Sequence, residues 1–121
     1  MSEVLVKLQK KGGGNDIDII NPDVISTADM NGNTTRNIAV TQMPKLIIYD
    51  MAPMSTQGNY YHFYYDVSQD KYFGDYHNAN GYTHASGNGK PSGITSVTSS
   101  NVTVKNISNS TQYRTSALIY Y

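Results

Sequence analysis

The chain has 121 residues, enough for one domain with at most a short arm or tail. Nine Lys and Arg balance nine Asp and Glu, and a formal net charge of zero argues against a general nucleic-acid binder or an anionic-membrane binder. With no Cys there is no disulfide framework, no thiolate metal site and no cysteine nucleophile. No apolar run reaches membrane-spanning length, and Met1-Ser2-Glu3 leads into alternation without an apolar signal core, so neither a membrane span nor export is expected.

Charged residues are only 15%, while Ser, Thr and Asn fill about 35 positions, a composition that favours turns and strands over helices. Eleven Tyr and short β-branched runs supply the buriable surface that a disordered chain lacks. Helical spacing is missing throughout, because Gly, Asn, Ser and Pro interrupt every window long enough to show it.

In chain order, Val4, Val6 and Leu8 alternate with Glu3, Leu5, Lys7 and Gln9 and predict a first short strand, ended by Lys10-Lys11 and the flexible run Gly12-Gly13-Gly14. Ile17 and Ile19 alternate with Asp16 and Asp18, Asn21-Pro22-Asp23 marks a turn, and Ala28 to Asn37 reads as a polar loop around Asn31-Gly32-Asn33. Residues 1–34 are therefore expected to form an arm and linker, anchored through Val4, Val6, Leu8, Ile17 and Ile19, and residues 35–121 the folded body. Lys7, Lys10 and Lys11 read as a solvated strand end.

Ile38 and Val40 mark a strand, and the continuous apolar run Lys45 to Tyr49 marks one in the middle of a sheet. From Tyr60 to Val67 the period is two, with Tyr61, Phe63, Tyr65 and Val67 expected on the core face and Tyr60, His62, Tyr64 and Asp66 on the other. Ser68-Gln69-Asp70 predicts a three-residue hairpin loop into Lys71-Tyr72-Phe73. The segment Tyr76 to Gly93 reads as a long polar loop, with a hint of strand only near Tyr82-Thr83-His84. Ile94–Val97 and Val102–Val104 predict a second hairpin, and the last strand should put Tyr113, Thr115, Ala117, Ile119 and Tyr121 on one face. About seven to nine short strands at this spacing imply an all-β antiparallel sandwich or small barrel.

The chemistry-bearing residues are few. His62, His77 and His84 lie near Asp66 and Asp75, yet no His pair has the spacing of a metal site, so no metal is expected. The aspartates sit in turns rather than as a facing carboxylate pair, and no Gly-x-Ser-x-Gly elbow occurs, so an enzyme is not expected. Gly12-Gly13-Gly14 lacks the Lys-Ser or Lys-Thr ending of a phosphate cradle, and no cofactor is expected. Sequons at Asn33, Asn101, Asn106 and Asn109 arise readily in so Asn-, Ser- and Thr-rich a chain. Tyr76, His77, Tyr82 and His84 stand out as candidate binding residues, since flat rings beside Asn amides suit a sugar or a protein surface equally.

The run Met43-Pro44-Lys45-Leu46-Ile47-Ile48-Tyr49, the tyrosine-rich hairpin Tyr60 to Phe73, Ile94-Thr95-Ser96-Val97 with Asn101-Val102-Thr103-Val104, and the aromatic end of Tyr113 to Tyr121 carry a resemblance. Over roughly residues 35 to 121 the chain resembles the small β-sandwich domain of tailed-bacteriophage virion proteins, found in tail-fibre, head-fibre and baseplate chains. The resemblance implies a non-enzymatic particle component, assembled in the host cytoplasm, partnered by capsid, neck or tail proteins, and homo-oligomeric as a trimer. A host-receptor or carbohydrate-binding module, reading a surface glycan through the segment Tyr76 to Gly93, is the alternative.

Overall fold

The computed structural model describes residues 5–8, 17–55 and 58–121. Eleven strands form in them: β1 (Leu5–Leu8), β2 (Ile17–Ile20), β3 (Val24–Met30), β4 (Thr35–Ala39), β5 (Leu46–Pro53), β6 (Tyr60–Asp66), β7 (Lys71–Asn78), β8 (Gly81–Asn88), β9 (Ile94–Val97), β10 (Asn101–Lys105) and β11 (Tyr113–Tyr120). Every pairing is antiparallel. A six-stranded sheet runs β3-β11-β5-β6-β7-β8 and a three-stranded sheet runs β4-β10-β9. The all-β sandwich expected from the sequence is the observed fold, and no helix long and apolar enough to cross a membrane occurs among the described residues.

The core lies between the two sheets. From the larger sheet come Ile47, Tyr49 and Met51 of β5, Phe63 and Tyr65 of β6, and Tyr113, Ala117 and Ile119 of β11; from the smaller come Ile38, Ile94, Val102 and Val104. Side chains alternate across a strand, so each strand commits one set of residues to this layer and the other to the outside. The expected register of β6 holds, with Phe63 and Tyr65 buried and Tyr60 and Tyr64 exposed. It holds for β11 as well, where Tyr113, Thr115, Ala117 and Ile119 are buried in alternation.

Polar side chains stitch the layers together. The Tyr49 hydroxyl donates to the Lys105 carbonyl at 2.9 Å, tying β5 to the end of β10. Arg36, on β4, reaches across the sandwich to the Ser26 hydroxyl and carbonyl and to the Thr115 hydroxyl; burial lowers its pKa. Asn106 is fully buried, its amide donating to the Met30 and Thr111 carbonyls while its side-chain oxygen accepts the Ser108 N–H. A buried amide saturated in this way holds the Met30 end of β3 against the loop after β10.

Three expectations need correction. The arm cannot extend to residue 34, because β3 pairs with β11 from Val24 to Met30 and belongs to the body. Its outer residues Ile25, Thr27 and Asp29 and inner residues Ser26 and Ala28 offer little apolar contrast, so an edge strand looked like a loop. Of the expected loop from Ala28 to Asn37 only residues 31–34 connect strands, with Asn33 at a φ of 61° in the left-handed region that Asn tolerates, and β4 begins at Thr35. The connection between β6 and β7 is one residue longer than expected, running from Val67 to Asp70, with Asp70 at a φ of 52°. Third, Tyr76 to Gly93 is mostly not loop: residues 76–88 belong to a β7–β8 hairpin closed by Ala79-Asn80, with Asn78 facing Gly81, and only Gly89 to Gly93 connects to β9.

β1 and β2 pair with each other, Val6 opposite Ile19 and Leu8 opposite Ile17. A two-stranded ribbon of this length is marginal by itself in water. Val4, the Lys10-Lys11 pair and Gly12-Gly13-Gly14 lie outside the described residues.

Candidate functional site

The three-stranded sheet covers one face of its larger neighbour, so the other face of the six-stranded sheet is the broad surface of the body. Cross-strand register sorts its side chains into rows. One row is apolar from strand to strand: Ile25 on β3, Leu118 on β11, Ile48 on β5, Tyr64 on β6 and Phe73 on β7. It spans four strand spacings of about 4.8 Å each. Ile25 is 66% exposed, Phe73 44% and Tyr64 38%, which for a domain this small is a large apolar commitment to solvent. The run Leu46 to Tyr49 is continuously apolar because both faces of β5 are: Ile47 and Tyr49 point into the core, while Leu46 and Ile48 point out and Ile48 joins this row.

The adjacent row alternates acid and imidazole: Asp50 on β5, His62 on β6, Asp75 on β7 and His84 on β8. His62 Nδ1 lies 2.9 Å from the Asp50 carboxylate, and His84 Nδ1 contacts the Asp75 carboxylate. With each imidazole engaged by its own aspartate, the row is a chain of cross-strand pairs, and no group of three metal-ligating side chains occurs among the described residues.

A third row is a ring stack. Tyr60, His77 and Tyr82 stand side by side on β6, β7 and β8, with centroids 4.9 Å apart for Tyr60–His77 and 4.8 Å for His77–Tyr82. His77, the middle ring, has a neighbour on each face. Tyr82, at the β8 end of the stack and 72% exposed, is the more open of its two end rings.

The four candidate binding residues are thus divided. His77, Tyr82 and His84 share the outer face, whereas Tyr76 points to the opposite side, where its ring lies 5.7 Å from that of Tyr61. All but His84 meet again at the hairpin tip, where Tyr76, His77, Asn80 and Tyr82 help line a depression of about 210 Å³. The outer-face residues Ile25, Ile48, Leu118, Tyr64 and Phe73 were not singled out from the sequence as a site. The signal was present as strands with apolar residues on both faces, but only the strand order brings five of them into line.

Two perturbed groups, Tyr65 and Asp66, sit at the other end of β6. The Tyr65 hydroxyl is pushed up to about 12 by burial, reinforced by its hydrogen bond to the Asp70 carboxylate. Asp66 is held below the usual carboxylate range by the Ser68 hydroxyl and the Gln69 N–H. These groups lock the β6–β7 turn and have no access to the ring stack, so they serve structure.

Comparison with protein-family models, with curated proteins and with solved structures gave no match.

Proposed function

We propose that the protein is a non-enzymatic structural component of a bacteriophage particle, displayed on its surface as a head-fibre, decoration or tail-fibre part. The reading joins the resemblance of residues 35 to 121 to one observation, the uncovered apolar row from Ile25 to Phe73. A rigid sheet face carrying aligned apolar side chains suits permanent contact with other proteins, because burying it costs little ordering and gains apolar area. In this reading the row meets a neighbouring particle protein or another copy of the chain, trimeric if the resemblance extends to assembly, and the β1–β2 ribbon is the anchor.

Antibody raised against the chain should label purified particles in electron micrographs, and the chain should co-sediment with them in fixed stoichiometry. Its absence from particles would end the proposal. A chain starting at Asp23 retains all nine strands of the sandwich and should fold, yet fail to incorporate; normal incorporation would remove the anchoring role of the ribbon.

The exposed ring of Tyr82 beside the tip depression supports a second reading, a host-glycan or receptor site. One flat ring flanked by Asn78 and Asn80 can stack on a pyranose and pair with its hydroxyls. A glycan array separates the two readings, since a purely architectural component binds no sugar and Tyr82→Ala should abolish any binding that is found.

A further inference from the structure

We infer that β8 is a self-pairing edge: two copies of this chain join antiparallel along Gly81–Asn88, about a two-fold axis at Ala85, fusing two six-stranded sheets into one. This goes beyond the particle reading and does not rest on it.

An unpaired strand edge is a template for another strand, and folded proteins ordinarily blunt such edges with charge, proline, bulges or brevity. β8 has none of these. It is the terminal strand of its sheet, its eight residues are all exposed, and its pairing with β7 is regular throughout. Its sequence, Gly-Tyr-Thr-His-Ala-Ser-Gly-Asn, contains no proline and no Lys, Arg, Asp or Glu. The other edges are defended. On β3, Asp29 is held by Arg114 and the Ser26 carbonyl is capped by Arg36. β9 has only four residues and a register shift where it meets β10, and β4 carries Arg36 itself.

The hairpin fixes which backbone groups are available. In an antiparallel ladder, hydrogen-bonded pairs alternate with non-hydrogen-bonded ones. Asn78 and Gly81 flank a two-residue turn and form a hydrogen-bonded pair, so Gly81, Thr83, Ala85 and Gly87 direct their N–H and C=O groups at β7. Tyr82, His84, Ser86 and Asn88 direct theirs outward.

A two-fold axis at Ala85 matches this set to itself. Tyr82 falls opposite Asn88 of the second copy and His84 opposite Ser86, and every outward N–H and C=O of the four residues gains a partner. Ala85 meets Ala85 and Thr83 meets Gly87, so the closely spaced pairs carry small side chains, and no like charges face each other. The exposed Tyr82 ring receives the Asn88 amide. An isologous contact of this form closes at two copies instead of growing into a fibre.

Sedimentation of the purified full chain should show a dimer that dissociates on dilution. Ala85→Lys sets two lysines against each other at the axis and should give a monomer, as should Ala85→Glu; an equal mixture of the two should restore the dimer. Ser86→Pro removes an outward N–H that the β7 ladder does not use, and should abolish the dimer with the hairpin kept. A native chain that is monomeric, an assembly that survives both Ala85→Lys and Ser86→Pro in folded protein, or a charge-swapped mixture that stays monomeric would each overturn the inference.

Discussion

β11 and β8 are both eight-residue strands of one sheet, and they occupy opposite physical worlds. β11 is paired on both sides and roofed by the three-stranded sheet, and Thr115, Ala117 and Ile119 have no exposed surface. β8 is paired on one side, and its eight residues are all exposed. Alternation therefore decides which face a residue takes, but only coverage decides whether that face is buried. The difference sorts the molecule into a part that carries stability and a part that offers surface.

The largest effect should come from the roofed side. Phe63→Ala removes a ring packed among Tyr49, Tyr61 and the second sheet, and should cost about 3–5 kcal/mol in denaturant unfolding. Tyr49→Ala should cost at least as much, since it also orphans the Lys105 carbonyl. A loss below about 1 kcal/mol at either site, the range of ordinary surface substitutions, would erase the contrast between the two regions.

Two glycines sharpen it. A Cβ at Gly93 would lie 2.8 Å from two Tyr49 ring carbons and 3.0 Å from Phe63, both locked in the core, so Gly93→Ala should cost about 1–3 kcal/mol. At Gly87 a Cβ would come within 3.0 Å of the Tyr72 ring, at a similarly tight approach. That ring is half-buried beside exposed β8 and can swing aside, so Gly87→Ala should stay within about 0.5 kcal/mol. Equal losses in thermal melts would mean that the open end is packed as rigidly as the core.

The sequence was legible where coverage and alternation agree. β6 and β11 show the period-two signal because one face is core and the other solvent, and their registers follow from it. Phe63 and Tyr65 were recognisable as core for that reason, as was the hairpin of β9 and β10. β3 and β8 were hidden because the middle of each inner face is small or polar: Ser26 and Ala28 between Val24 and Met30 in β3, and Thr83, Ala85 and Gly87 in β8. Tyr76, His77, Tyr82 and His84 were picked out by residue type alone. Their separation onto two faces depends on the β7–β8 register, which a segment read as loop cannot supply.

Alkaline titration probes the roofed side more gently. Burial pushes the Tyr49 hydroxyl up to about 12, above the 10.0 of a free tyrosine, and does the same for Tyr65 with help from Asp70. Between pH 10 and about 12 the unfolded chain releases these protons while the folded chain retains them, so stability is complete below pH 10 and falls through that window. Tyr49→Phe should lower stability at neutral pH by about 0.5–1.5 kcal/mol through the lost hydrogen bond, and should flatten part of the alkaline fall. An unchanged alkaline slope in Tyr49→Phe would mean that the fall comes from other groups.

The smallest effect on folding should come from the outer row, and it is the most informative about use. Phe73 touches Tyr64 and His84 through ring contacts at about 6 Å and otherwise faces water, so Phe73→Ser should cost the isolated chain only about 0.2–1 kcal/mol. Tyr64→Ser should behave alike, and the two residues face each other across β6 and β7, so the double variant tests the row as a unit. If the row exists to be covered by a neighbouring protein, the double variant should melt close to the native chain and yet be lost from particles. A cost of several kcal/mol in the isolated chain would mean instead that the row is already buried in solution, by a second copy or by the β1–β2 ribbon folding over it. Repeating the melt across a wide range of protein concentration in the Ala85→Lys background tells these apart, because with the β8 contact removed only coverage of the row by a second copy makes the melting temperature rise with concentration.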